Sequence, residues 1–267
     1  MANQQKVAVI GAGVMGEALI AALIGSGVEP SDISIVEKRQ DRCDELIGKY
    51  AISADSLQSA VSTSDVILLV VKPQDMPGLL GEIKPHINAK ALVMSFVAGK
   101  KIAFIQENLT PSQPIVRIMP NTPTSVGLGA AGYSFASTVS QEHRTFVASL
   151  LAAAGKAVEV DESLQDAITA TSGSGPAYFF AFVEAMIEGA VALGLAREDA
   201  TTLTIQTIVG SAALLEHSGD SPTALREKVT SPNGTTAAAL ASFSNDQLSE
   251  IVARAMKAAH ERSEELA

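Results

Sequence analysis

The feature that most constrains this fold is a strand that runs straight into three glycines. Lys6-Val7-Ala8-Val9-Ile10 is an apolar strand pattern, and Gly11-Ala12-Gly13-Val14-Met15-Gly16 follows at once, opening a helix that continues to about Ser26. Gly11 permits a tight turn, Gly13 the close approach of a pyrophosphate, and Gly16 the packing of helix on strand. The first turn of such a helix presents unpaired N–H groups and the positive end of the dipole to an anion. An acidic residue, Glu37, stands at the end of the second strand, Ile33–Val36, about 20 residues beyond the last glycine, as a dinucleotide site requires. Glycine spacing alone is weak evidence. Strand, loop, helix and acid together make Gly11, Gly13, Val14, Met15, Gly16 and Glu37 a candidate cofactor site.

The pattern continues as strand and helix in alternation. A helix is expected from about Gln40 to Tyr50, and Val66-Ile67-Leu68-Leu69-Val70-Val71 is a continuous apolar run suited to the middle of a parallel sheet. Further strands are expected at Ala91–Val97 and Ile115–Met119, with Tyr133–Phe135 and Ala157–Val160 adding edge strands. This is a doubly wound α/β domain, placed at residues 1–161. Ligands bind such sheets at the carboxyl ends of the strands. Val71-Lys72-Pro73, Ala98-Gly99 and Asn121 lie at three such ends and join the candidate cofactor residues. Glu37 suits a ribose 2′-hydroxyl and hence NADH, whereas Lys38, Arg39 and Arg42 suit a 2′-phosphate. Three cations beside one carboxylate favour NADPH, with NADH as an alternative.

Beyond Asp161 no strand pattern remains, and residues 162–267 read as an all-helical domain. Its helix from about Ala177 to Leu193 is apolar on most of its circumference, so it is expected either in the domain's own core or in a subunit interface. Thr230-Ser231-Pro232-Asn233-Gly234-Thr235-Thr236 breaks the helices with a turn and starts a new one with paired hydroxyls. Free N–H groups at that helix start favour a carboxylate, and the two threonines can cap the helix or bind a ligand.

Composition narrows the partners. A net charge of −10 and an isoelectric point near 4.9 argue against nucleic acid. The single cysteine, Cys43, forms no intrachain disulfide, and no His/Cys/carboxylate cluster has metal spacing. No signal-peptide pattern precedes the first strand and no long apolar run lacks charges or breakers. A cytoplasmic protein without a membrane span or metal is expected.

The motifs, taken in order, resemble those of the Δ1-pyrroline-5-carboxylate reductase family over nearly the whole chain. The blocks are the glycine loop, Val71-Lys72-Pro73-Gln74, Arg117–Pro123, Ser172-Gly173-Ser174-Gly175-Pro176-Ala177-Tyr178 and, most specific, Leu225–Thr236. The resemblance implies reduction of a cyclic imine carboxylate to L-proline, the last step of proline biosynthesis. It also implies a helical dimerisation domain, with dimers often assembled into a ring. Thr236 matches the position whose hydroxyl contacts the ring nitrogen, and Asn233-Gly234-Thr235 matches the backbone that holds the carboxylate. Two positions depart from the common pattern. Asn233-Gly234 replaces Gly-Gly, which Asn tolerates because it enters left-handed backbone, and Glu37-Lys38 replaces Asn-Arg. A β-hydroxyacid dehydrogenase would carry a lysine on the helix after Gly173-Ser174-Gly175; this chain has Pro176-Ala177-Tyr178-Phe179-Phe180. A reductase of another cyclic imine and a non-catalytic dinucleotide sensor are the remaining alternatives.

Overall fold

The structure, a computed structural model, describes residues 5–266. The chain divides into two compact units, one running up to Pro176 and including the stretch from Ala258 onward, the other spanning Ala177–Lys257.

In the first unit the chain order is β1 (Val7–Ile10), α1 (Val14–Gly25), β2 (Ile33–Val36), α2 (Gln40–Tyr50), β3 (Ser53–Ala54), α3 (Leu57–Thr63), β4 (Val66–Leu69), α4 (Met76–Ile83) and β5 (Leu92–Ser95). Then come α5 (Ile102–Asn108), β6 (Ile115–Met119), β7 (Gly129–Phe135), α6 (Gln141–Ala154), β8 (Gly155–Glu159) and the short α7 (Gln165–Ile168). The eight strands form one sheet in the order β3-β2-β1-β4-β5-β6-β7-β8. Strands β1 to β6 are parallel, so the carboxyl ends of β1, β2, β4, β5 and β6 share one rim. Strand order reverses beside β1, where β2 flanks one side and β4 the other, and that switch point is the expected place for a ligand.

The continuous apolar runs are explained by burial on both faces: every residue of β1, β4 and β5 is buried. Helix α1 buries Leu19, Ile20 and Leu23 and packs on α6. Each such side chain stabilises the fold by about 1.5–3 kcal/mol.

One strand expectation needs correction, and one strand was not expected. The Tyr133–Phe135 segment is not an edge: β7 pairs antiparallel with β6 on one side and parallel with β8 on the other. Glycines allow the extra strand to seat closely, since a Cβ on Gly155 would stand 2.1 Å from the Gly129 carbonyl oxygen. The far edge is β3, two exposed residues paired with β2, too short to leave a periodic signal.

The second unit is helical. It takes most of α8 (Gly175–Ala192), all of α9 (Arg197–His217), α10 (Pro222–Lys228) and α11 (Thr235–Asn245), and the first part of α12 (Leu248–Glu265). Within it Arg197 grips Glu188 through two hydrogen bonds of 2.8 and 2.9 Å. The α8 aromatics are not buried in a core of their own: Phe179 is 66% exposed and Phe180 61%. Of the two expectations for this helix, burial in the domain's own core does not hold for these residues in the single chain. No helix among the described residues is long and apolar enough to cross a membrane.

Candidate functional site

The glycine loop is built as its spacing requires. Gly11 has φ +94°, and a Cβ there would lie 2.6 Å from the carbonyl oxygen of Val70, the residue just after β4. A Cβ on Gly16 would lie 2.2 Å from the Gly11 oxygen, so helix and turn touch through backbone. A Cβ on Gly13 would meet nothing within 4 Å, leaving open space beside the helix start. Gly13 is the N-cap of α1 and no side chain caps it, so the N–H groups of the first turn remain available to an anion. Val14 at that turn is 75% exposed. Facing the loop is a cavity of about 800 Å³, lined by Gly11, Gly13, Glu37, Lys38, Arg39 and Lys72 among others. Val71 lines it too, and Leu57 and Leu79 add an apolar wall that the linear motifs do not mark. The bare Gly13 backbone, the open helix terminus and the size of the groove together fit a dinucleotide.

The Ala12 peptide is held on both sides. Its N–H donates to the Glu37 carboxylate at 3.1 Å, and its carbonyl accepts from Arg42 Nε at 3.0 Å. The other Glu37 oxygen accepts the Arg39 N–H at 3.1 Å. The Cys43 thiol donates to the Glu37 carbonyl at 3.6 Å, and burial pushes that thiol's pKa up. The expectation that Arg42 serves a 2′-phosphate is corrected here. Arg42 is 8% exposed, and its remaining nitrogens bond Glu17 on α1 and, at 2.7 Å, Glu45. Lys49 (2.8 Å) and Tyr50 (3.2 Å) complete the cluster on Glu17. Hydrogen bonds from Lys49 and then Arg42 hold the Glu17 carboxyl down at about 2. Arg42 therefore fastens α2 to the glycine loop, and of the three cations only Lys38 and Arg39 face the groove.

Farther along the rim, Lys72 precedes a 3-10 turn that begins at Pro73. Gly99 beyond β5 has φ +74°, with Ala98 half-buried beside it. Asn121 beyond β6 is buried, and its side chain bonds the Ser172 carbonyl and the Ala130 N–H.

In the second unit the Ser231–Gly234 turn has the left-handed residue expected of it, Asn233 at φ +60°. Gly234 donates its N–H to the Ser231 carbonyl at 3.0 Å, and a Cβ on Gly234 would lie 2.5 Å from Ser231 Oγ. Gly234 is the N-cap of α11 and no side chain caps the helix. Neither threonine hydroxyl is used for capping, and Thr235 and Thr236 stand as the first two helical residues. That terminus offers a carboxylate backbone N–H groups, a positive dipole end and two hydroxyls. Among the described residues no group of three His, Cys, Asp or Glu side chains comes together as a metal site.

The mostly parallel sheet with its glycine loop, joined to a helical unit with an uncapped helix start, is the arrangement of a dinucleotide-dependent oxidoreductase. Comparison with known proteins sharpens that class. A family model described as pyrroline-5-carboxylate reductase dimerisation matches residues 162–266, and one described as NADP oxidoreductase, coenzyme F420-dependent, matches residues 6–99. A pyrroline-5-carboxylate reductase of Pseudomonas aeruginosa is 40% identical over 264 residues, covering 98% of this chain and 97% of the relative. A solved pyrroline-5-carboxylate reductase from Coxiella burnetii superimposes with a TM-score of 0.93 at 34% identity, over 99% of both chains. The Plasmodium falciparum pyrroline carboxylate reductase, solved with NADP bound, gives 0.89 at 29% identity over 100% of this chain and 99% of that one. The chain belongs to the pyrroline-5-carboxylate reductase family and is an oxidoreductase.

Proposed function

We propose that this chain reduces Δ1-pyrroline-5-carboxylate to L-proline with hydride from NADPH, as the last step of proline biosynthesis in the cytoplasm. The observation that carries the substrate assignment is the uncapped start of α11, where Gly234 leaves the helix N–H groups open and sets two hydroxyls beside them. The Asn233–Thr235 backbone holds the carboxylate, and the Thr236 hydroxyl contacts the ring nitrogen. When bound, the dinucleotide supplies hydride from nicotinamide C4 to the imine carbon. As the new C–H bond forms, the C=N π pair moves onto nitrogen and cancels the iminium charge. The imine is basic enough to bring its own proton, so Thr236 has only to orient the nitrogen, and no strong general acid is needed.

The cofactor would be held by Gly11, Gly13, Val14, Met15 and Gly16, by Val71, Lys72 and Pro73, and by Ala98, Gly99 and the backbone of Asn121. Lys38 and Arg39 read a 2′-phosphate, while Glu37 accepts a ribose 2′-hydroxyl and admits NADH as a second donor. Two copies pair through the exposed apolar residues of α8 and α9, including Phe179, Phe180, Leu203 and Val209, and the dimers assemble further into a ring.

Thr236→Ala tests the central assignment. Turnover should fall roughly 10- to 100-fold, the loss of one transition-state hydrogen bond, with the NADPH dissociation constant unchanged. Equal loss of turnover and cofactor affinity would remove Thr236 from the substrate site.

A further inference from the structure

A proline in the first turn of a helix gives no N–H to the carbonyl four residues before it. The chain enters α8 through a single π-helical turn, Thr169–Gly173, closed by the Ser174 N–H on the Thr169 carbonyl at 2.8 Å. Four residues after Ser172 stands Pro176, which has no N–H to give to the Ser172 carbonyl. The missing donor comes from elsewhere: Asn121 Nδ2 donates to Ser172 O at 3.1 Å. The same side chain accepts the Ala130 N–H on Oδ1 at 2.8 Å. Only one orientation of the amide satisfies both bonds, because the nitrogen cannot accept from an N–H and the oxygen cannot donate to a carbonyl. Asn121 is 8% exposed, so neither bond has water as a ready substitute. A second contact fastens the same two segments, since a Cβ on Gly173 would lie 2.7 Å from Met119 Cε.

Asn121 follows the carboxyl end of β6, two strands beyond β4 in the sheet. A dinucleotide whose pyrophosphate lies on the glycine loop and whose adenosine end lies beside β2 extends its nicotinamide end across β4 toward this part of the rim. We propose that Asn121 is a positioning residue for hydride transfer. Its amide stands in for the N–H that Pro176 lacks and holds Ser172–Gly175 against the β6 end, fixing the wall on which the nicotinamide ring lies. The proposal rests on the reductase reading for the reaction it serves. It assigns the Asn121 side chain to protein carbonyl and amide groups, and leaves only backbone at this position to face the cofactor. Small displacements of a reacting ring carry large rate penalties, about 100-fold for 1 Å.

Asn121→Asp separates the two bonds, keeping the acceptor for Ala130 and losing the donor for Ser172. The variant should bind NADPH within about twofold of the parent, because the adenosine and pyrophosphate contacts are untouched, yet turn over about 10- to 100-fold more slowly. Emission from bound NADPH should shift, because it reports the nicotinamide surroundings without requiring any substrate. Adding Pro176→Ala supplies a backbone N–H to Ser172 and should restore most of the lost turnover. An unchanged rate and emission in Asn121→Asp would overturn the proposal. So would a parallel loss of NADPH affinity that Pro176→Ala does not relieve, which would make Asn121 a cofactor ligand or a purely structural residue. If the parent protein fails to reduce the imine, the reductase reading falls, and the emission of bound NADPH in the two variants still decides the positioning role.

Discussion

Replacing Arg42 by Met separates two accounts of the same cation. Read from sequence, Arg42 belongs with Lys38 and Arg39 at a 2′-phosphate. In the structure it is buried, gives Nε to the Ala12 carbonyl at 3.0 Å, and pairs with Glu17 and Glu45. Methionine keeps the aliphatic stem but leaves the Ala12 carbonyl without its donor. The Glu17 carboxylate, whose side chain is only 21% exposed, keeps Lys49 and Tyr50 and loses its buried partner. Breaking such a pair costs roughly 3 kcal/mol, at the lower end for buried ion pairs because Lys49 still offsets part of the charge. For a chain of this size that is about 6–12 °C in melting temperature. Differential scanning fluorimetry reads the shift, and titration with NADPH and NADH reads the site. Both cofactors should weaken together, through the loosened glycine loop, with their ratio unchanged. A melting temperature like the parent's, or selective loss of NADPH, would refute the reasoning and return Arg42 to the phosphate site.

The Glu17 cluster also predicts an acid response. Its folded pKa is lowered from 4.5 to about 2, so the stabilisation is present in full above 4.5 and is lost as pH falls toward 2. Glu17→Gln should cost about 2 kcal/mol near neutrality, after discounting the exposed Lys49 contact for solvent screening. Melting curves of parent and variant should then converge between pH 4.5 and 2; a constant gap would refute the assignment. Lys38→Glu with Arg39→Glu should weaken NADPH at least tenfold more than NADH, as loss of two charge-assisted contacts requires; equal weakening would place the cations on the adenine side. Phe179→Asp with Phe180→Asp should convert an oligomer to monomers by light scattering, and an unchanged mass would move the interface off α8.

Much of this was legible in the chain because it is local. The glycine loop needs only backbone within a few residues, and the open space at Gly13 and the crowding at Gly11 and Gly16 follow its spacing. Asn233 was expected to take left-handed backbone because its side chain tolerates it, and it does, at φ +60°. Strands buried on both faces stood out as unbroken apolar runs. What the sequence hid depends on pairings between distant residues. Arg42 finds Ala12 and Glu17 only once α2 lies beside α1, and nothing near Arg42 distinguishes it from the exposed Arg39. The Asn121 bond to Ser172 spans 51 positions, although its cause, a proline without an N–H, is visible at Pro176. The interior place of β7 depends on small residues at Gly129 and Gly155 that make no apolar pattern.

Turnover of purified protein with Δ1-pyrroline-5-carboxylate, followed as loss of the reduced nicotinamide absorbance with NADPH and with NADH, tests the central claim most directly. The account predicts rapid, saturable oxidation of NADPH with one L-proline formed per NADPH consumed, and slower but measurable use of NADH. Tight NADPH binding without turnover of this imine would contradict it, and would leave the Thr235–Thr236 helix start to a different ligand.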